Sequence, residues 1–239
     1  MNTGLSNAPA PASQARESGG NNYFYNRIPI CNNLKMKTSC LFIITVFLMV
    51  SLGFGQVTVS NPANTTPNLA ATYTSLANAI TALGGITSIG GPVIITLNSG
   101  NNETAPAGGY VIQFTASTTA TNNIIIEGSG NTITAFSPQA AGSINDAIFK
   151  LIGADYITIR DFIMQENPAN TVNTPAASNN MTEWGIALLR ATTTDGSQNN
   201  TIQNNTISLN RTYRNSFGIY SNARHAPAAP TTATDATAV

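Results

Sequence analysis

The sequence predicts an all-β solenoid, a parallel β-helix opened by one short capping helix, and three observations lead there. Short β-rich runs of about five residues recur from Gly91 onward, each bounded by Gly, Asn, Asp or Pro. Three of them share one pattern, an aliphatic residue, a long polar residue, then a turn former: Ile126-Glu127-Gly128, Ile159-Arg160-Asp161 and Ile202-Gln203-Asn204. Their starts lie about 33 and then about 43 residues apart, a repeat with an insertion in it. The composition agrees. Charged residues make up 8% of the 239-residue chain, the formal net charge is zero, and Asn with Thr supplies roughly a quarter of all positions. An ordinary soluble domain is about a quarter charged. Thr suits an exposed strand face, and Asn and Gly tolerate the left-handed conformations of tight turns.

The same composition excludes several function classes. No basic stripe is present that could release counterions from a phosphate backbone, so no nucleic-acid partner is expected. The single histidine, His225, and the lack of any Cys-His cluster argue against a zinc site. No Gly-rich phosphate loop or nucleophile elbow occurs, so neither a cofactor nor a catalytic residue is assigned.

Ahead of the repeats, Met36 and Lys37 open an export signal. One positive charge precedes the apolar run Leu41 to Val50, and small residues at Gly53 and Gly55 place cleavage between Gly55 and Gln56. The apolar stretch from Cys40 to Phe54 is fifteen residues, short of the roughly twenty that span a bilayer. After cleavage no stable membrane span remains. Cys40 lies before the apolar run rather than after it, which disfavours a lipid anchor. Residues 1–35 are polar and aperiodic. They are either a disordered lead or an upstream extension, with Met36 the true start. Cys31 and Cys40 both precede the cleavage point, so the mature chain has no disulfide and depends on packing and hydrogen bonds.

Residues 56–90 read as a polar lead-in followed by a cap. Leu76, Ala79, Ile80 and Leu83 have the spacing of one helical face, Ser75 is placed to cap the first turn, and Gly84-Gly85 stops the helix. A short helix laid across the first coil can cover the apolar end of a solenoid. Residues 91–239 then form the coils. The runs are Pro92–Leu97, Tyr110–Phe114, Asn123–Glu127, Ala147–Leu151, Tyr156–Arg160, Gly185–Leu189 and Asn200–Gln203. After the shared turn, Phe162-Ile163-Met164 matches Asn205-Thr206-Ile207. A second echo sets Trp184-Gly185-Ile186 against Phe217-Gly218-Ile219, again about 33 residues apart. The insert Thr192–Ser197 accounts for part of the irregular spacing. Alternation in Ile157-Thr158-Ile159 puts isoleucines on one face, where successive coils can build an aliphatic ladder. Asn side chains at the bends are expected to hydrogen-bond along the axis. A β-sandwich also has short, evenly spaced strands. No Asn-Gly or Asp-Gly hairpin separates adjacent strong strands, although Asp195-Gly196 sits in the insert.

Phe149–Phe162, Asn199–Ile207 and Phe217–Tyr220 resemble the right-handed parallel β-helix proteins of the pectin-lyase-like class. The likeness covers roughly residues 70–222 and is a repeat consensus, not an active-site match. The chain also looks like large secreted surface proteins of Bacteroidetes type. That resemblance implies further repeats and a C-terminal sorting domain read by an outer-membrane secretion system. No sorting domain is visible here, and the run Ala226-Pro227-Ala228-Ala229-Pro230 with its Thr/Ala tract offers no closing cap, so a fragment is expected.

Enzymes of that class cut polysaccharides by Ca²⁺-assisted elimination or with paired carboxylates. The local candidates are Asp155, Arg160 and Asp161, with Lys150 and Glu127 on nearby coils. Hydrolysis needs two carboxylates about 5–10 Å apart across a groove, whereas Asp155 and Asp161 flank opposite ends of one strand. Asp161 aligns with Gly128 and Asn204, the position of a turn residue. Trp184 could stack on a sugar ring, but its alignment with Phe217 favours a structural aromatic. The sequons Asn102-Glu103-Thr104 and Asn210-Arg211-Thr212 arise readily in a chain so rich in Asn and Thr. The expectation is a secreted or outer-cell-surface structural and adhesive protein that meets extracellular glycans or cells without catalysis. The alternative is a polysaccharide lyase or glycoside hydrolase whose active coils lie beyond Val239. Nothing in the sequence sets an oligomeric state.

Overall fold

The computed structural model describes residues 55–141, 145–173 and 179–222. Most of the segment read as an export signal, with Met36, Cys31, Cys40, His225 and the tract 226–239, lies outside the described residues. In chain order the elements are β1 (Val57–Ser60), β2 (Thr65–Thr66), β3 (Thr72–Tyr73), α1 (Leu76–Leu83), β4 (Ser88–Ile89), β5 (Val93–Leu97), β6 (Glu103–Thr104) and β7 (Tyr110–Ile112). They continue with β8 (Ile124–Glu127), β9 (Thr132–Thr134), β10 (Ala147–Ile152), β11 (Ile157–Arg160), β12 (Ile163–Gln165), β13 (Trp184–Leu189), β14 (Thr201–Gln203), β15 (Thr206–Ser208) and β16 (Phe217–Asn222).

Twelve of these strands wind into four coils, each giving one strand to each of three parallel sheets. The first sheet runs β5, β8, β11, β14; the second β6, β9, β12, β15; the third β7, β10, β13, β16. The chain is a parallel β-solenoid. The register repeats the pattern read from the sequence, with Ile126 opposite Ile159 and Ile159 opposite Ile202. Trp184 lies opposite Phe217, and Met164 opposite Ile207.

Strand alternation explains the core. In β5 the side chains of Val93, Ile95 and Leu97 point inward while Ile94 and Thr96 are half exposed. Stacking the coils turns these positions into ladders. Ile95, Ile126 and Ile159 are fully buried above one another, and Ile202 ends the row half buried. Each buried isoleucine contributes about 1.5–3 kcal/mol of burial free energy. Tyr110 and Phe149 continue the interior with stacked rings, centroids 4.9 Å apart, and Phe149 tilts against Phe162 at 5.2 Å.

The bends need backbone that few residues adopt. Asp161 (φ +61°) and Asn204 (φ +55°) occupy the same left-handed position in successive coils. Gly128 is aligned with them but is glycine for a different reason: a Cβ there would lie 2.5 Å from the Phe162 ring and 2.6 Å from the Asp161 carbonyl oxygen. The left-handed residues of that bend are Ser129 and Gly130.

Asparagines stitch the coils along the axis, and their partners are backbone groups. Each reaches back to the backbone of the preceding coil. Asn200 donates to the Ala154 carbonyl (2.8 Å) and accepts from the Ile157 N–H (2.8 Å). Asn205 does the same with Ile159 and Phe162. Asn131 donates to the carbonyls of Leu97 and Asn98 and accepts from the Asn101 N–H. These amides satisfy backbone groups that a bend takes out of the sheet ladder.

The N-terminal end is covered by more than the expected helix. The Ser75 hydroxyl accepts from the Asn78 N–H (3.1 Å), Gly84 forms the C-cap, and Leu76, Ala79, Ile80 and Leu83 are buried. Glu103 accepts from the Leu76 N–H (2.8 Å) and from the Tyr110 hydroxyl (2.8 Å), tying α1 to the first coil. The segment read as a polar lead-in holds β1, which runs antiparallel to β5 and closes that sheet edge, with β3 beyond it. Its alternation, Val57 and Val59 inward, spans only four residues, too few to stand out in sequence. β2 and β4 form a separate antiparallel pair.

Candidate functional site

Two places in the described residues bring chemistry-bearing groups together. The first is a buried cluster just ahead of the third sheet. Because Ala147 pairs with Trp184, the residues before them, Asp146 and Glu183, stack on adjacent coils. Both are almost wholly buried, and Lys150 on β10 is nearly so. Glu183 accepts from the Asp146 N–H (2.9 Å) on the coil before and from the Tyr213 hydroxyl (3.0 Å) on the coil after. It therefore ties three coils. Burial pushes the Glu183 carboxyl well above the ordinary carboxylate range, and the neighbouring Asp146 adds to this. Burial also raises Asp146, against the opposing attraction of Lys150, whose ammonium is itself pulled down by burial. Glu166 holds the adjoining loop, accepting from the Thr182 N–H (3.1 Å), the Thr182 hydroxyl (2.8 Å) and Asn170 (2.7 Å).

The second place is an open groove of about 820 Å³. It arises from unequal turns between the third and first sheets. Coil two crosses in only Gly153–Tyr156, whereas residues 113–123 of coil one and 190–200 of coil three make long turns on either side. The short turn is the floor and the long ones are the walls. Gly153 (φ +58°) sits on that floor, where a Cβ would come within 2.6 Å of Ala191 and 2.9 Å of the Asp195 carboxylate. Asp155 and Asp195 both line the groove, with Thr115, Ser117 and Thr118. Asp155 accepts from the Gln198 N–H (2.6 Å), and its carbonyl accepts from the Thr118 hydroxyl (2.8 Å), bracing both walls.

The residues singled out from the sequence do not converge. Asp155 lies in the groove at the start of β11. Asp161 lies past the other end of that strand, as the sequence indicated. Arg160 pairs with Glu127 one coil back (3.0 Å) and more loosely with Asp161 (3.5 Å), so the one guanidinium is shared between two carboxylates on the outer face of the first sheet. Lys150 belongs to the third sheet and joins Asp146 and Glu183, not Glu127. Trp184 is fully buried and stacks on Tyr220 (centroids 4.2 Å, planes 5° apart), which makes it a structural aromatic rather than an exposed sugar platform. Of the sequon asparagines, Asn102 accepts from the Thr132 N–H (2.8 Å) and Asn210 from the Thr212 N–H (3.0 Å). Gly55 and Gln56 stand where the described fold begins, with the Gly55 carbonyl accepting from Asn98 (3.0 Å).

Sequence reasoning missed Asp146 and Glu183. The signal was available: extending the Trp184/Phe217 echo back one coil to Ala147 places the two carboxyls side by side. Asp195 was passed over as part of an insert, although that insert builds a groove wall.

No family model matches the chain, and no curated protein or solved structure matches it. What the geometry establishes is the fold.

Proposed function

We propose that this chain is an exported, non-catalytic solenoid that binds glycans at the cell surface. The observation that carries this reading is that rows of uncharged hydroxyl and amide groups stand in register on the outer surface of the coils, beside the charged cluster of Glu127, Arg160 and Asp161. Thr134, Gln165 and Ser208 lie in one row of the second sheet, with Gln165 donating to Thr134 (3.1 Å), and Thr158 lies beside Thr201 in the first. Members of one row about 4.8 Å apart offer repeated weak hydrogen bonds to a hydroxyl-rich polymer. The export signal read at Met36–Gly55 supports a place outside the cell or on its outer surface. Binding of the purified chain to an array of polysaccharides tests it, and failure to retain any glycan counts against it.

A second reading, a polysaccharide hydrolase, draws on the Asp146–Glu183 pair. The pair is less suited to it because both Glu183 oxygens already accept hydrogen bonds from Asp146 and Tyr213. Incubation with neutral and uronic-acid polymers, followed by an assay for new reducing ends or unsaturated products, separates the two readings.

A further inference from the structure

Resting on that glycan-binding reading, we infer that the groove over the short turn of coil two is its specific subsite, and that it takes a neutral, hydroxyl-rich sugar rather than a uronic-acid polymer. The groove's volume, about 820 Å³, falls in the range of about 300–1,000 Å³ typical of small-molecule sites. Its side-chain polar groups are neutral or anionic, the Gln113 amide among them. Asp155 and Asp195 supply carboxylate oxygens, and Thr115, Ser117 and Thr118 supply hydroxyls. Among the described residues lining it, none is Lys, Arg or His. A ligand carrying its own carboxylates would meet only like charge there, while sugar hydroxyls donate well to carboxylate oxygens. Phe114, half buried in the same wall, gives one apolar face against which a pyranose ring can lie. The floor is fixed for the purpose. Gly153 keeps it low, and any side chain there would run into Ala191 and Asp195. The braces from Asp155 to Gln198 and Thr118 hold the walls apart in the absence of a ligand. The site is preformed, which limits the ordering cost of binding.

The test is isothermal titration of the full chain with neutral gluco-, manno- and galacto-oligosaccharides and with trigalacturonate, repeated on Asp195→Asn and Ser117→Trp. Both substituted positions are exposed, so the variants retain the fold, which circular dichroism checks. The expected result is binding of at least one neutral oligosaccharide, no binding of trigalacturonate, and a loss of about tenfold or more in both variants. Neutral sugar binding that neither variant weakens would overturn the groove while leaving the surface reading intact. Absence of any sugar binding would overturn both. Binding that disappears with a chelator would also overturn the inference, because the two carboxylates would then be holding a cation instead of hydroxyls.

Discussion

Asn205 holds Phe162 from one coil away: its side-chain oxygen accepts the Phe162 N–H at 3.0 Å while its amide nitrogen donates to the Ile159 carbonyl at 2.9 Å. The contact repeats with Asn200 on Ile157 and Ala154. These amides substitute for ladder bonds at the bends, where the backbone leaves the sheet. Replacing Asn205 by Ala leaves one N–H and one carbonyl unsatisfied, at about 1–3 kcal/mol for each group that water cannot reach. Urea denaturation of Asn205→Ala should show a midpoint well below that of the parent. Asn205→Asp should recover only part of the loss, because it keeps the acceptor and removes the donor.

The isoleucine ladder makes a graded prediction. Ile159→Ala empties a fully buried site with neighbours above and below, and should cost about 2–5 kcal/mol. Ile202→Ala, at the half-buried end of the same row, should cost clearly less. Equal losses in denaturation experiments would mean that the two positions are packed alike, contrary to the structure.

Asp161 distinguishes a turn residue from a catalytic one. Its φ of +61° suits Asn nearly as well as Asp. Its contact with Arg160 is long and partly exposed, so Asp161→Asn should leave stability within about 0.5–1 kcal/mol of the parent. Asp161→Val places a β-branched residue in left-handed backbone and should destabilise by about 1–3 kcal/mol. Comparing the two melting curves decides the matter.

Glu183 predicts a pH dependence. Its carboxyl is raised in the fold above its ordinary value of 4.5, chiefly by burial, so the folded chain holds a proton that the unfolded chain has released. Stability is then greatest below that ordinary value and falls as pH climbs toward the raised one. Asp146, raised for the same reason, acts in the same direction. Glu183→Gln removes most of this slope. Its carbonyl oxygen still accepts the Asp146 N–H and its amide N–H can donate to the Tyr213 hydroxyl oxygen, so the variant should stay close to the parent in acid and be flatter with pH. Denaturation midpoints measured from acid to neutral pH read both effects.

Much of the solenoid could be read from residues alone because its cause is local and repeated. The triplets at Ile126, Ile159 and Ile202 carry strand alternation and a bend in three letters, and their spacing gives the register directly. The helix at Leu76–Leu83 was equally plain, since a capping serine, an apolar face and two glycines coincide there. The second sheet was harder. Its strands are two or three residues long, too short for alternation to register. The groove was harder still, because it depends on the difference in length between three consecutive turns and on which turn lies between the others. The buried carboxyls escaped notice because Asp146 and Glu183 are 37 residues apart, joined only by coil stacking.

The most direct test of the account is a binding screen of the purified chain against neutral and acidic polysaccharides, with the supernatant assayed for new reducing ends and unsaturated products. The account predicts retention on at least one neutral polysaccharide and no products. Products without stable retention would contradict it and move the assignment to the hydrolase or lyase reading. No retention and no products would contradict the glycan-binding claim outright.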